Sequence, residues 1–412
     1  MVYTNNFSGS SDIEIIENTV SAKEADNIVV IEPKKDGTPW LIDRAILIPE
    51  DTTIIIRGCK IKLSDKCRDN FFRTNNCGIG IDEPQKIKNV HIKGEGTAIL
   101  EGADHPRATG DGSKILKNPA PHFEEDAIKV ADWIPHERRE SGKLEFMDIH
   151  GYSYGTDAGK ESESQYGDWR NIGILFASVD NFSIENIKMV RSHGWNISIE
   201  AGTNGRIKNI EFCADMTKTI DGFTHNIENQ DGIDIRNGCR DIIISDITGI
   251  TGDDVVALTA IKDNNNFKGG SMRSTHVMGS DWSKRESDIH DIIIKNIHAK
   301  TSLCWIVRLL AAETDIYNVV IDSIVDLCDD RYHFGTLLFG EWDGEYGKNL
   351  PDCIHDVAVS NVICAKNGRS INVAGYLTNS TITNVITKNK DFKPISVSRE
   401  NGLNNVVTNN VI

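Results

Sequence analysis

The sequence predicts an all-β protein: a single-domain, right-handed parallel β-helix, or solenoid, carrying long inserted loops. One observation is a short motif, a turn-like Asn or Asp followed by alternating apolar residues, that recurs as "KNVHIKG", "DNFSIENI", "KNIEF", "RDIIISDI", "HDIIIKNI", "YNVVIDSI", "HDVAVSNV", "TITNVI" and "NNVVTNNVI". A second is its spacing. Anchored at Asn181, Asn209, Asp241, Asp291, Asn318, Asp356, Asn384 and Asn405, most steps fall between 21 residues (Asn384 to Asn405) and 38 residues (Asn318 to Asp356), the range of stacked repeats. A third is the character of each copy, short, β-branched and of period two, which is a strand between turns and not an amphipathic helix. Strands that recur without crossover helices stack best as successive coils with Ile and Val pointing inward. A sandwich would need hairpin turns, and a propeller would need a blade-length period; neither is evident.

Taken in order, residues 12 to 64, including "AILIPEDTTIIIRGCKIKLS", read as the opening coils and cap, because a solenoid end exposes unpaired strand edges. Residues 103 to 169 break the period with a polar stretch rich in Gly, His and aromatics, and read as an inserted loop or small lobe. The step from Asp241 to Asp291 spans two coils, or one coil with an inserted loop, and residues 262 to 287 form that second excursion. Loops of such length in a compact solenoid are often functional.

With a formal net charge of −16, the chain is a poor general partner for a polyphosphate backbone or an anionic membrane, so neither nucleic acid nor membrane is expected. Nine cysteines, scattered and without a CxxC pair, read as reduced and mostly buried thiols, not as a disulfide framework or zinc site. No basic-then-apolar leader and no membrane-length apolar run appears, which predicts a cytoplasmic protein, or a secreted one whose leader has been removed. No metal site and no cofactor are implied, and the oligomeric state is left open.

The chemistry concentrates in "NQDGIDIRNGCRDIIISDITGITGDDVVAL". Asp231 and Asp253 are 22 positions apart, close to one coil, so the reading places them on neighbouring rungs at the strand spacing of about 4.8 Å, with Asp254 beside them. Carboxylates held so close cannot all ionise, and at least one must be pushed upward in pKa, as a general acid requires. A protonated carboxyl and an ionised one are the pair that glycoside hydrolysis needs. The plainer reading makes each Asp a turn residue, yet the two-part motif at one-coil spacing favours a site.

These residues resemble the polygalacturonase family, glycoside hydrolase family 28, within the pectate-lyase-like β-helix superfamily. "NQDGIDI" followed by "GDDVVAL" carries the resemblance, supported by "KNVHIKGEGTAILEG" and "NIGILFASVDNFSIENIKMVRSHGWNISI", over roughly residues 85 to 325. The resemblance implies Asp253 as general acid, Asp231 and Asp254 activating water, and inversion at the anomeric carbon. The chain departs from the family downstream. It has no Gly-His-Gly, and "CWIVRLL" offers Arg308 but a leucine where the family's substrate-gripping Arg-Ile-Lys has lysine, so a neutral or differently charged sugar fits better than galacturonate.

Substrate-binding candidates follow. Arg308, in an apolar strand, must meet an anion, either the Asp cluster or a substrate. Asn229 opens the first acidic motif. His193 and Trp195 precede it by one or two coils, with Trp195 either stacking on a sugar or packing. His276 lies in the second excursion. Lys262, Arg236 and Arg273 are solvated surface cations able to form a local basic patch, and Trp133, Trp169, Trp282 and Trp342 fall in loops that suit a saccharide cleft. The leading expectation is an inverting glycoside hydrolase acting on an oligosaccharide. The alternatives are a lyase or epimerase of the same fold, or a non-catalytic carbohydrate-binding, tailspike-like β-helix.

Overall fold

The computed structural model describes residues 1–23, 26–65, 67, 69–78, 81, 84–104, 172–192, 194–214, 217–220, 223–226, 230–261, 287–341 and 348–412. Two parallel sheets run the length of the coil stack, one of 15 strands and one of 10, and every strand in them pairs with the equivalent strand of neighbouring coils. The chain is thus a parallel β-helix. The step from Asp241 to Asp291 is a single coil, because Arg240–Thr251 pairs directly with Ile289–Thr301.

The hydrophobic pattern explains the stacking. In the long sheet, Ile54, Ile92, Ile184, Ile207, Ile244, Ile294, Ile321, Val359 and Ile382 are successive rung partners. All are buried in one continuous core. Burying a side chain of this size contributes roughly 1.5–3 kcal/mol, so each rung added to the column extends the core by a comparable increment.

The anchors of the sequence repeat have a backbone reason. Asn181, Asn209, Asp241, Asp291, Asn318, Asp356, Asn384 and Asn405 all adopt φ between 52° and 57°, the left-handed region that Asn and Asp tolerate best after glycine. They belong to two columns, not one. Asn181, Asp241, Asp291, Asn318, Asp356 and Asn405 share the first corner of the long strands; Asn209 and Asn384 stand at the second, with Asn186, Asn361 and Asn410. Side-chain amides link successive coils, as in Asn181 to Asn89 (2.7 Å), Asn318 to Asp291 (3.0 Å), Asn405 to Asn379 (2.8 Å) and Asn209 to Asn186 (2.9 Å).

Within the expected opening coils and cap, Asp12–Ser21 form a helix. Ser11 caps it by accepting from the Glu14 N–H, and Ile13, Ile16 and Val20 join the solenoid core. The nine cysteines are unbridged, six of them buried. No helix among the described residues is long and apolar enough to cross a membrane.

Candidate active site

The short sheet carries the acidic motif. Its strands Ile197–Glu200, Ile233–Arg236, Val256–Ile261, Trp305–Ala312 and Gly335–Phe339 lie side by side in that order. Ile233, Ile235, Val256, Leu258, Val307 and Leu309 point into the core. The alternate positions, Asp234, Ala257 and Arg308, form an outward row of rung partners.

The register corrects the expected pairing. Ile233 pairs with Val256, a step of 256 − 233 = 23, not 22, so the rung partner of Asp231 is Asp254. The Gly232 N–H donates to the Asp254 carbonyl at 2.8 Å, consistent with that alignment. The same column continues to Trp195 on one side and Trp305 on the other, placing the two acids between buried indoles. Asp253 sits one residue earlier, at the corner, and is partly exposed while Asp231, Asp234 and Asp254 are buried. Its peptide is fixed: its carbonyl accepts from the Thr251 and Thr301 hydroxyls at 2.7 and 2.6 Å, and its Oδ1 accepts from the Asp254 N–H at 2.9 Å.

Burial dominates the electrostatics. Asp231 is pushed well above the usual carboxylate range, first by desolvation and then by the charge of Asp253. Desolvation likewise raises Asp234 well above that range, against the attraction of Arg236. Asp254 rises to about 7 because desolvation outweighs the opposing pull of Arg308. Its Oδ1 accepts from the Trp305 N–H at 2.8 Å and its Oδ2 from Arg308 at 3.4 Å. Asp231 Oδ1 and Asp234 Oδ2 are buried and make no hydrogen bond among the described residues. Such orphaned acceptors are costly unless a proton, a water or a substrate hydroxyl meets them.

Several residues that sequence reasoning passed over complete the site. Cys304 stands one rung from Asp253, its thiol within 4.8 Å of carboxylate oxygens of Asp253 and Asp254 and raised well above its usual range by burial and these neighbouring acids. The Gln230 carbonyl receives the Gly252 N–H at 3.1 Å, tying the two acidic turns together. Glu341 accepts from Arg308 at 2.6 Å. Asp234 was legible as an acid in an outward slot of "GIDI"; Cys304, Trp305 and Glu341 become visible only through the register.

Of the expected binding residues, Arg308 does meet the Asp cluster, through Asp254. Arg236 is not a solvated cation: it is 1% exposed, with its guanidinium 4.8 Å from the centre of the Trp195 ring. Trp195, itself buried, is therefore a packing partner of Arg236 rather than an open platform for sugar. Asn229, His193, His276, Lys262, Arg273, Trp133, Trp169, Trp282 and Trp342 lie outside the described residues.

Two groups among the described residues bring metal-ligating atoms together, Asp253–Asp254–Cys304 and Asp326–Cys328–His333. In the second, Asp326 already accepts from His333, Thr336 and the Cys328 N–H, and burial pushes the Cys328 thiol upward, while the other ring nitrogen of His333, Nδ1, is buried and makes no hydrogen bond among the described residues. In the first, burial and the neighbouring acids hold the Cys304 thiol above its usual range, which disfavours the thiolate that a metal ligand needs.

Residues 140–314 match the model for "Glycosyl hydrolases family 28". Among solved structures, the chain is similar to a hyperthermoactive exopolygalacturonase from Thermotoga maritima, at 17% identity over 99% of this chain and 91% of that one, with a TM-score of 0.53. It is also similar to a polygalacturonase from Erwinia carotovora ssp. carotovora, at 14% identity over 97% and 91%, with a TM-score of 0.51. No curated protein matches. The structural likeness is one of fold, and the family match spans Asp231, Asp253, Asp254 and Arg308.

Proposed function

We propose that this chain, a parallel β-helix whose central segment matches glycoside hydrolase family 28, is an inverting glycoside hydrolase acting on an oligosaccharide. One observation carries the reading: Asp231 and Asp254 stack as a buried, partly unsatisfied acid pair, while Asp253 stands at the accessible corner with its backbone locked.

In this reading Asp253 reaches the glycosidic oxygen and donates a proton to the leaving group. Asp231 and Asp254 hold a water on the opposite side of the scissile bond and remove its proton as it attacks the anomeric carbon. Burial favours the protonated forms of Asp231 and Asp254, so the step requires one of the buried pair to ionise as substrate and water arrive. The unsatisfied Asp231 Oδ1 supports this step, because a hydrogen bond from the incoming water stabilises its ionised form. Cys304, on the next rung, packs its thiol within 4.8 Å of the Asp253 carboxylate and narrows the space that carboxyl can sample.

Aryl glycosides and oligosaccharides should be screened with wild type beside Asp253→Asn and Asp231→Asn, and the anomer first released read by NMR. Cleavage lost in both variants, with an inverted product, supports the reading. Cleavage that survives both substitutions removes it, and an unsaturated, ultraviolet-absorbing product sensitive to chelators would make the chain a lyase.

A further inference from the structure

We propose that Glu341 sets the charge selectivity of this cleft, directing it toward neutral saccharides and against uronic acids. The inference rests on the glycosidase reading of the same site and names its substrate class.

Arg308 is the cation in the outward row that carries Asp234 and Ala257, and a substrate carboxylate entering this row would seek it. Its guanidinium is already shared. One arm reaches Asp254 Oδ2 at 3.4 Å and the other Glu341 Oε2 at 2.6 Å, with side-chain exposures of 18% for Arg308 and 11% for Glu341. A guanidinium has five N–H donors but one positive charge. Two carboxylates offset that charge, and a third arriving with a uronate would meet Glu341 at contact distance in a weakly screened setting. A neutral sugar hydroxyl carries no such penalty.

Glu341 is built into this position. It follows Gly340, whose φ of 78° and close approach to Gly375 leave no room for a side chain: a Cβ there would lie 2.5 Å from the Gly375 Cα. The Glu341 peptide is clamped by Asn349, which accepts from its N–H at 3.0 Å and donates to its carbonyl at 2.6 Å, and Arg399 donates to the same carbonyl at 3.2 Å. With its backbone held on both sides, the carboxylate is aimed at Arg308 instead of sampling the cleft. Arg236 is engaged with Trp195 and does not compete for the Glu341 carboxylate.

The test is equilibrium binding by calorimetry of matched neutral and uronic disaccharides, with galactose, glucose and mannose series each set against the corresponding uronate. Wild type, Glu341→Gln, Glu341→Ala and Asp253→Asn are compared, with circular dichroism as the check on folding. The expected result is that wild type binds the neutral member of at least one pair more tightly, and that both Glu341 variants shift the neutral-to-uronate ratio by about tenfold toward the uronate. Asp253→Asn should keep the wild-type preference. A wild-type preference for the uronate, no binding of any neutral member, or a ratio moved less than twofold in both folded Glu341 variants would overturn the proposal. Charge-selective binding without any cleavage would instead remove the hydrolase reading and leave this one standing.

Discussion

The two walls of the solenoid are built from the same coils and solve opposite problems. The long sheet keeps its core free of charge along the strands: its inward column is uninterrupted Ile and Val, its buried Asp326 sits at a strand end held by His333 and Thr336, and its corners are exposed Asn and Asp linked by side-chain amides across neighbouring coils. The short sheet keeps an equally apolar inward row, yet it buries Asp231, Asp234, Arg236 and Asp254 on its outer side. The difference teaches that the repeat supplies rigidity without chemistry. Function enters where an outward slot or corner departs from the repeat while the rungs beneath hold its position to within a strand spacing.

Breaking the charged wall at its accessible corner should produce the largest effect. Asp253→Asn removes the proposed proton donor without changing volume, and kcat should fall about 10²- to 10⁴-fold with the thermal midpoint nearly unchanged. A loss of folding in parallel with activity would mean that Asp253 is a structural corner like those of the long sheet.

Breaking the apolar wall should do the reverse. Ile294 is a fully buried rung between Ile244 and Ile321, and Ile294→Ala should cost about 2–5 kcal/mol in denaturant unfolding. The kcat of the remaining folded protein should stay near wild type, since the lost methyl groups lie on the wall opposite the acids.

The buried acids also give the comparison a pH signature. Asp254 ionises near 7 in the fold but close to 3.8 when unfolded. Between those values the folded protein retains a proton that the unfolded chain releases, so this group makes stability fall as pH rises and adds nothing further above about 7. Asp254→Asn cannot ionise, so its melting temperature should decline less than that of wild type between pH 4 and 7. Corner acids such as Asp291, lowered chiefly by its hydrogen bond with His290, carry the opposite sign. An Asp291→Asn variant should therefore lose part of the rise in stability that wild type shows as pH climbs through the carboxylate range.

How far the sequence revealed each wall follows from the same contrast. The long sheet was legible because side-chain alternation and left-handed Asn corners leave marks every coil; the error was to merge two corner columns, Asn209 and Asn384 having the same local motif as Asn181 and Asn318. In the site, Asp231, Asp253 and Asp254 were legible as a motif, but their stacking was not. A coil of 23 residues instead of 22 moves the partner of Asp231 from Asp253 to Asp254. Cys304 and Glu341 reach the site across 51 and 33 residues of chain from Asp253 and Arg308, and no local pattern encodes that approach. The burial of Arg236 was hidden for a like reason, because its partner Trp195 lies one coil away.

The smallest expected effect separates the two roles of a corner Asn. Asn318 holds φ at 53° and donates to Asp291 at 3.0 Å on the exposed edge of the long sheet. Asn318→Ala loses the amide bridge and puts a Cβ-bearing residue with no local hydrogen bond into the left-handed region, at a cost of about 1–2 kcal/mol. Asn318→Gly loses the same bridge but adopts that φ freely. If backbone conformation is what the repeat conserves from coil to coil, Gly should recover most of the stability that Ala loses. Equal losses in the two variants would instead assign the column to its amide ladder. In either case activity should be unchanged, since this corner stands on the wall opposite Asp231, Asp253 and Asp254.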